Sequence, residues 1–337
     1  MKKISIKDIA RQAGVVPSTV SFVLNGKAKE MRISDIVAEK INALAKEIGY
    51  QPNRTAVSLR TGKTKIIGLI VEDISNTFFA SLAKQVEDTA YQEGYRIVYC
   101  STENDDEKGC ELINMMFHQQ VDGFLITPCK GMAKDIARLM DLHKPVVLMD
   151  RYFPEINVPY VLAENYGGVT EAVSHIYNKG YKKIGFVNIS PFQMQMHQRE
   201  MGFREAVNFH YGTGNELVLH INYGLNSEDA ISTICSFIKA NPEMDAILFA
   251  TNYLGIYGLQ SLKRLGLSIP SDMAMVCFDD HDIFRIYSPT ITVIQQPIEE
   301  IAKTAVELLL KQFNGVSLQS DEFYVLKKTQ LIIREST

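Results

Sequence analysis

Residues 5–26 read SIKDIARQAGVVPSTVSFVLNG, two short helical patterns joined by a glycine-containing turn. Ile6, Ile9, Ala10 and Ala13 recur at helical spacing, and Ser5 with Asp8 forms a capping-box start. That predicts a first helix. Gly14 can take the positive φ that stops it, and Pro17 stands where a first-turn proline belongs. A second helix is therefore expected from about Pro17 to Leu24. It can bury Val20, Val23 and Leu24 while Ser18, Thr19, Ser21 and Phe22 face outward, with Asn25-Gly26 as its stop. Two helices joined this way have the shape of a helix-turn-helix reader of the DNA major groove, and the outward set is what would meet bases.

Downstream, Val37, Ile41, Leu44, Ala45 and Ile48 give a third helix from about Ser34 to Ile48, ended by Gly49. Three short helices around one small core make a minimal DNA-binding head, residues 1–49. Residues 50–64 follow as a hinge. Pro52 prevents the third helix from continuing, Asn53 can cap a new turn, and residues 55–60 could form a helix too short to be stable alone. Charge separates this head from the remainder. Residues 1–64 carry 12 Lys and Arg against 5 Asp and Glu, a balance of +7, whereas residues 65–337 carry 23 against 34, a balance of −11. A basic head on an acidic body is expected when only the head meets phosphates.

From Lys65 onward, apolar runs alternate with helix-length segments. Ile66–Val71, Arg96–Cys100, Gly123–Thr127 and Val146–Met149 form one group, and Ile184–Val187, Leu217–Ile221, Ala246–Ala250 and Ala274–Phe278 a second. Continuous apolar strands imply parallel sheets covered by helices on both faces. About 270 residues of this pattern predict two α/β lobes facing one cleft, with ligand groups at the carboxyl ends of the strands. Those ends carry Glu72-Asp73, Asn76, Phe78-Phe79, Asp150-Arg151, Thr251-Asn252-Tyr253 and Asp279-Asp280. Carboxylates, amides and an arginine among aromatic rings suit a polyol, since charged groups take hydroxyls and rings cover apolar sugar faces. Helix capping is the competing role for Asp150, Asp279 and Asn252.

An enzyme is the rival class for such a body. It lacks G-x-S-x-G, H-E-x-x-H and G-x-G-x-x-G motifs, its seven histidines are scattered, and Gly62-Lys63-Thr64 lacks the earlier glycine of a phosphate loop. Neither catalysis nor a cofactor is expected. Five cysteines without metal-ligand spacing are expected to stay reduced. No apolar stretch reaches the length of a membrane span and the amino terminus lacks a signal-peptide core, so a cytoplasmic protein with no membrane partner is expected.

With these residues in view, the chain resembles the lactose-repressor (LacI/GalR) family of bacterial transcription regulators along almost its whole length. The head IKDIARQAGVVPSTVSFVLNG, the hinge text YQPN, Ser58-Leu59 and Arg60-Thr61-Gly62, and the body stretches GLIVEDISNTFF, VDGFLI, IPSDMAMVCFDD and TVIQQP carry the likeness. The resemblance implies a regulator, of repressor type, that binds double-stranded operator DNA as a homodimer or tetramer. Its body would consist of two periplasmic-binding-protein-like lobes taking a small effector, a sugar or sugar phosphate. Lobe 1 would span about 65–162 and 295–320, and lobe 2 about 163–294 and 321–337.

By the same resemblance, base-reading positions fall on Pro17, Ser18 and Phe22, and a minor-groove wedge on Leu59. Ser5, Thr19, Ser21, Asn25, Asn53 and Ser58 complete the expected DNA-facing set. Effector contacts fall on Asn76, Phe78, Asp150, Arg199, Asn252 and Asp279, with Tyr223 a looser match. Four positions depart from the family pattern. Phe22 stands where an arginine commonly takes guanine, Val16 where a capping serine is common, Val57 for a hinge arginine, and Tyr253 for a common aspartate. Losing one bidentate arginine–guanine pair removes about 1–3 kcal/mol of discrimination, so an apolar contact to a base is expected at Phe22.

Overall fold

The computed structural model describes residues 5–50, 61–190 and 193–337. The chain divides into two units, residues 1–64 and 65–337. In the first, α1 (Ile6–Ala13), α2 (Pro17–Leu24) and α3 (Asp35–Glu47) enclose Ile9, Val20 and Ile41, all without solvent exposure, together with Ala10, Ala13, Val23 and Ala45. The Asp8 carboxylate accepts from the Ser5 amide at 3.0 Å and the Ser5 hydroxyl at 2.7 Å, closing the first turn of α1. Gly14, at φ +72°, ends α1, and Pro17 opens α2. Lys40 donates from α3 to the Ala13 carbonyl at 3.0 Å, satisfying one of the carbonyls left open at the end of α1.

The second unit is built from two α/β lobes. Its elements run β1 (Ile66–Val71), α4 (Thr77–Gln92), β2 (Arg96–Ser101), α5 (Asp106–His118), β3 (Gly123–Ile126), α6 (Ala133–Asp141), β4 (Val146–Met149) and β5 (Tyr160–Ala163). There follow α7 (Asn165–Asn178), β6 (Ile184–Ile189), α8 (Met194–Tyr211), β7 (Leu217–Ile221), α9 (Ser227–Ala240), β8 (Ala246–Phe249), α10 (Asn252–Leu265), β9 (Ala274–Phe278), α11 (Asp282–Ile286) and β10 (Thr292–Gln295). The chain ends with α12 (Ile298–Phe313), α13 (Ser320–Phe323), β11 (Tyr324–Lys327) and β12 (Gln330–Ile332).

The strands form two six-stranded sheets, ordered β11-β5-β4-β3-β1-β2 and β12-β10-β9-β8-β6-β7. Every pair is parallel except β10 with β12. Central strands such as β3, β4, β6, β8 and β9 are buried at every residue, as helices on both faces require, whereas the edge strands β2, β7 and β11 are partly exposed. In the second lobe Phe186 of β6 stacks on Phe203 of α8 with centroids 4.8 Å apart, fixing that helix to the sheet.

The division of residues between lobes differs from the sequence reading, which gives 321–337 wholly to lobe 2. Tyr324–Lys327 instead pairs in parallel with Tyr160–Ala163 and forms the outer strand of the first sheet, while only Gln330–Ile332 joins the second. An edge strand has one exposed side and carries no continuous apolar run by which its sheet could be recognised. Among the described residues no helix is long and apolar enough to cross a membrane.

Candidate effector cleft and nucleic-acid interface

Carboxyl ends of β1, β4, β6, β8 and β9 converge on a cleft within the second unit. Asp150 directly follows β4 and Asp279 directly follows β9, and both take left-handed backbone conformations, φ +65° and +70°. Such conformations are uncommon outside glycine, with Asp and Asn among the tolerated exceptions. The two lobes thus present matching aspartates at matching sheet positions. Neither caps a helix: Thr251 caps α10 and His281 caps α11.

Arg199, on α8, lies by the two aspartates and is 2 % exposed. Its Nε donates to Asn165 Oδ1 at 2.8 Å and its Nη1 to the Ala250 carbonyl at 2.6 Å, while the guanidinium stands 3.5 Å from the Phe278 ring centroid and 3.9 Å from the Asp279 carboxylate. Gln296 donates to Asp279 at 2.6 Å, and Gln195 to Asp150 at 3.3 Å. Burial pushes the Asp150 carboxyl up to about 7; Arg199 works against this and the Asp279 charge adds to it. Burial also raises Asp279, opposed by Arg199 and the Gln296 hydrogen bond. Asp150 also lies 3.3 Å from Arg151 Nε, and carboxylates buried this deeply are expensive to hold without charge partners and hydrogen-bond donors.

Around this centre the remaining predicted residues take distinct places. Asn76 caps α4, its Oδ1 accepting from the Phe78 amide at 3.0 Å and from Asn252 Nδ2 at 3.1 Å, so Asn252 bridges from lobe 2 to lobe 1. Phe78 is buried against Phe79, centroids 5.0 Å apart. Asn252 and Tyr223 line a chamber of about 440 Å³ on one flank, together with Tyr253 and Tyr257. The space at the centre itself is only about 30 Å³, and a second chamber of about 570 Å³ opens on the other flank.

Some of the cleft's pairings and some of its residues escape a linear reading. Glu72 and Arg151, which follow β1 and β4, form a buried ion pair in the cleft wall, and Arg151 also donates to Asn104 Oδ1 at 2.9 Å. Burial lowers the Arg151 guanidinium to about 10. Strand-end position alone suggests both residues, but their pairing depends on the β4-β3-β1 order. Gln193 and Gln195, at the start of α8, and Gln296, after β10, carry no chemical signature that marks them as cleft residues.

In the first unit, Pro17 and Ser18 are exposed on the outer side of α2, Thr19, Ser21 and Phe22 are half-buried, and Ser5 and Asn25 are exposed at the helix ends. Phe22 does not join the apolar cluster under α2, which takes Val20, Val23 and Leu24. Basic residues Lys7, Arg11, Lys27, Lys29 and Arg32 of the same unit are exposed. Asn53, Ser58 and Leu59 lie outside the described residues.

Residues 5–53 match the family described as bacterial regulatory proteins, lacI family, and residues 173–337 match the periplasmic binding protein-like domain. The HTH-type transcriptional regulator KdgR of Bacillus subtilis (strain 168) is 32 % identical over 321 residues, 92 % of this chain and 91 % of the relative. The chain belongs to the lacI family of bacterial regulatory proteins. Among solved structures, a periplasmic binding protein/LacI transcriptional regulator from Alkaliphilus metalliredigens QYMF complexed with D-xylulofuranose is 26 % identical, covers 81 % of this chain and 99 % of its own, and superposes with a TM-score of 0.70. The lac repressor dimer bound to operator and the anti-inducer ONPF, at 19 % identity, shares the fold over 99 % of each chain with a TM-score of 0.86. This lacI-family protein is accordingly a DNA-binding transcriptional regulator whose body has the effector-binding fold.

Proposed function

We propose that this regulator, of repressor type, seats α2 in the major groove of a near-palindromic operator as a homodimer, and that a polyol in the body's cleft sets its operator affinity. Pro17, Ser18 and Phe22 read bases; Ser5, Thr19, Ser21 and Asn25 contact the backbone beside them; Asn53, Ser58 and Leu59 act at the hinge, Leu59 as the wedge that opens a minor-groove step. In the cleft, Asp150 and Asp279 accept sugar hydroxyl protons, Arg199, Asn76 and Asn252 complete the polar shell, and Phe78 and Tyr223 cover apolar faces.

The observation that carries this reading is the pair of aspartates with buried side chains, one from each lobe, held on left-handed backbone next to Arg199. Hydroxyl donors from a polyol would offset what burial costs them. The central space of about 30 Å³ shares Asn76 and Tyr253 with one flanking chamber and Arg151 and Gln193 with the other, so an effector spanning them would touch both lobes and couple occupancy to lobe geometry. No catalytic step is assigned. The test is calorimetric titration of effector with and without operator DNA. Linkage requires the two affinities to differ by the same factor by which effector changes operator affinity; equal effector affinity in both titrations refutes effector control.

A further inference from the structure

On the flank away from Tyr223 and Tyr253, the chamber of about 570 Å³ is lined by Asn104, Lys130, Arg151, Gln193 and His197, with Tyr152 and Phe153 and the carboxylates Asp106 and Glu155 also in its wall. The amino terminus of the 18-residue helix α8 lines it through Gln193, Met194 and His197, and the N-cap residue Gln193 makes no side-chain capping bond among the described residues. Helix amino termini carry partial positive charge and unpaired amide donors, a setting that favours anions. A second, independent feature points the same way. Gln193, only 6 % exposed, has its donor Nε2 buried without a hydrogen-bond partner among the described residues. Nε of the adjacent buried Arg151 is ion-paired with the Asp150 carboxylate at 3.3 Å without hydrogen-bond geometry, and the same guanidinium also pairs with Glu72. Buried donors left open are rare in folded proteins.

The charges in the wall are not evenly available. Asp106 already accepts the Gly131 amide at 2.8 Å, whereas Glu155 is exposed. Lys130 is exposed and makes no ion pair among the described residues. The cleft centre is different in kind, with Glu72, Asp150 and Asp279 outnumbering Arg151 and Arg199. Arg151 and Gln193 line both spaces, so one ligand can reach from one to the other.

Resting on the polyol-effector reading above, we propose that the effector is an anionic polyol whose carboxylate or phosphate sits in this chamber. The anion lies on Arg151, Gln193 Nε2, Lys130 and the α8 amino terminus, and the hydroxyls turn toward Asp150 and Asp279. A neutral sugar of the same skeleton leaves those donors open.

The experiment is calorimetry on the full-length protein with three matched probes: a hexose, its hexonate and its 6-phosphate. One of the two anions should bind about 10- to 100-fold more tightly than the hexose, the range of a charge-assisted contact, and which one does so identifies the anionic group. Lys130→Gln, at an exposed position that does not threaten folding, should shrink that preference. Glu155→Gln should enlarge it by removing a like charge. If the hexose binds as well as both anions, or neither variant moves the preference, the anion chamber is refuted while the polyol cleft stands. If none of the probes binds, both readings fall.

Discussion

Replacing Asp150 with Asn separates what the cleft costs the fold from what it gives to binding. Asn tolerates the left-handed backbone at φ +65° and keeps an oxygen for Gln195, so the substitution mainly removes a titratable charge. In the folded protein burial holds the Asp150 carboxyl at about 7 against an ordinary 3.8. A carboxyl raised on folding contributes stability that is fully present below the unfolded value and is lost as pH rises through the folded one. The loss therefore accumulates between 3.8 and about 7 and is constant above that window. At about 1.4 kcal/mol per pH unit it reaches a ceiling of about 4 kcal/mol. Asp150→Asn escapes that loss and relieves its repulsion of Asp279. The variant should match the wild type near about pH 4 and be about 2–4 kcal/mol more stable above about pH 7, while its effector affinity falls. Urea unfolding of the body, followed by circular dichroism across that range, reads the difference. A gap that does not change with pH, or a variant less stable than wild type at alkaline pH, refutes the assignment of Asp150 as a carboxyl kept for ligand at the fold's expense.

Other substitutions probe the remaining elements. Phe22→Arg restores a bidentate guanine reader on α2 and should gain about 1–3 kcal/mol for sites with guanine at the facing position; selection from random duplexes returning the wild-type motif defeats that placement. At Gly202, on α8, an added Cβ would lie 2.6 Å from the Tyr166 carbonyl oxygen of α7, so Gly202→Ala must push the two helices apart. It should cost about 1–3 kcal/mol and weaken effector binding, because Gln195 and Arg199 ride on the same helix; unchanged stability in a denaturant melt contradicts the close packing. Operator affinity should fall steeply, by well over about tenfold between roughly 50 and 200 mM salt, as counterions released from phosphates rebind; a flat salt titration by fluorescence anisotropy denies the basic head its role.

The sequence is most legible where local chemistry decides. Gly14, Pro17 and the spacing of Ile9, Ala10, Val20 and Val23 place α1 and α2 where the structure has them, because turn residues and a small apolar core act over a few positions. The buried central strands are equally readable from their continuous apolar runs. What cannot be read is adjacency. Glu72 and Arg151 meet only because β3 alone separates β1 from β4, and Tyr324–Lys327 returns to the first sheet through backbone pairing that its half-exposed side chains do not advertise. The cleft shows both sides of this. Asp150 and Asp279 stand out as charges directly after apolar strands, but Gln195 and Gln296 reach them only through the tertiary packing of elements distant in sequence.

The most direct test is selection of bound duplexes from a random pool by the purified full-length protein, repeated with hexose, hexonate and hexose 6-phosphate present. A near-palindromic motif with two half-sites, whose enrichment changes with one of these additions, is the predicted result. No enrichment over bulk competitor under any of the conditions would contradict the central claim that the amino-terminal helices read operator DNA under control of the cleft.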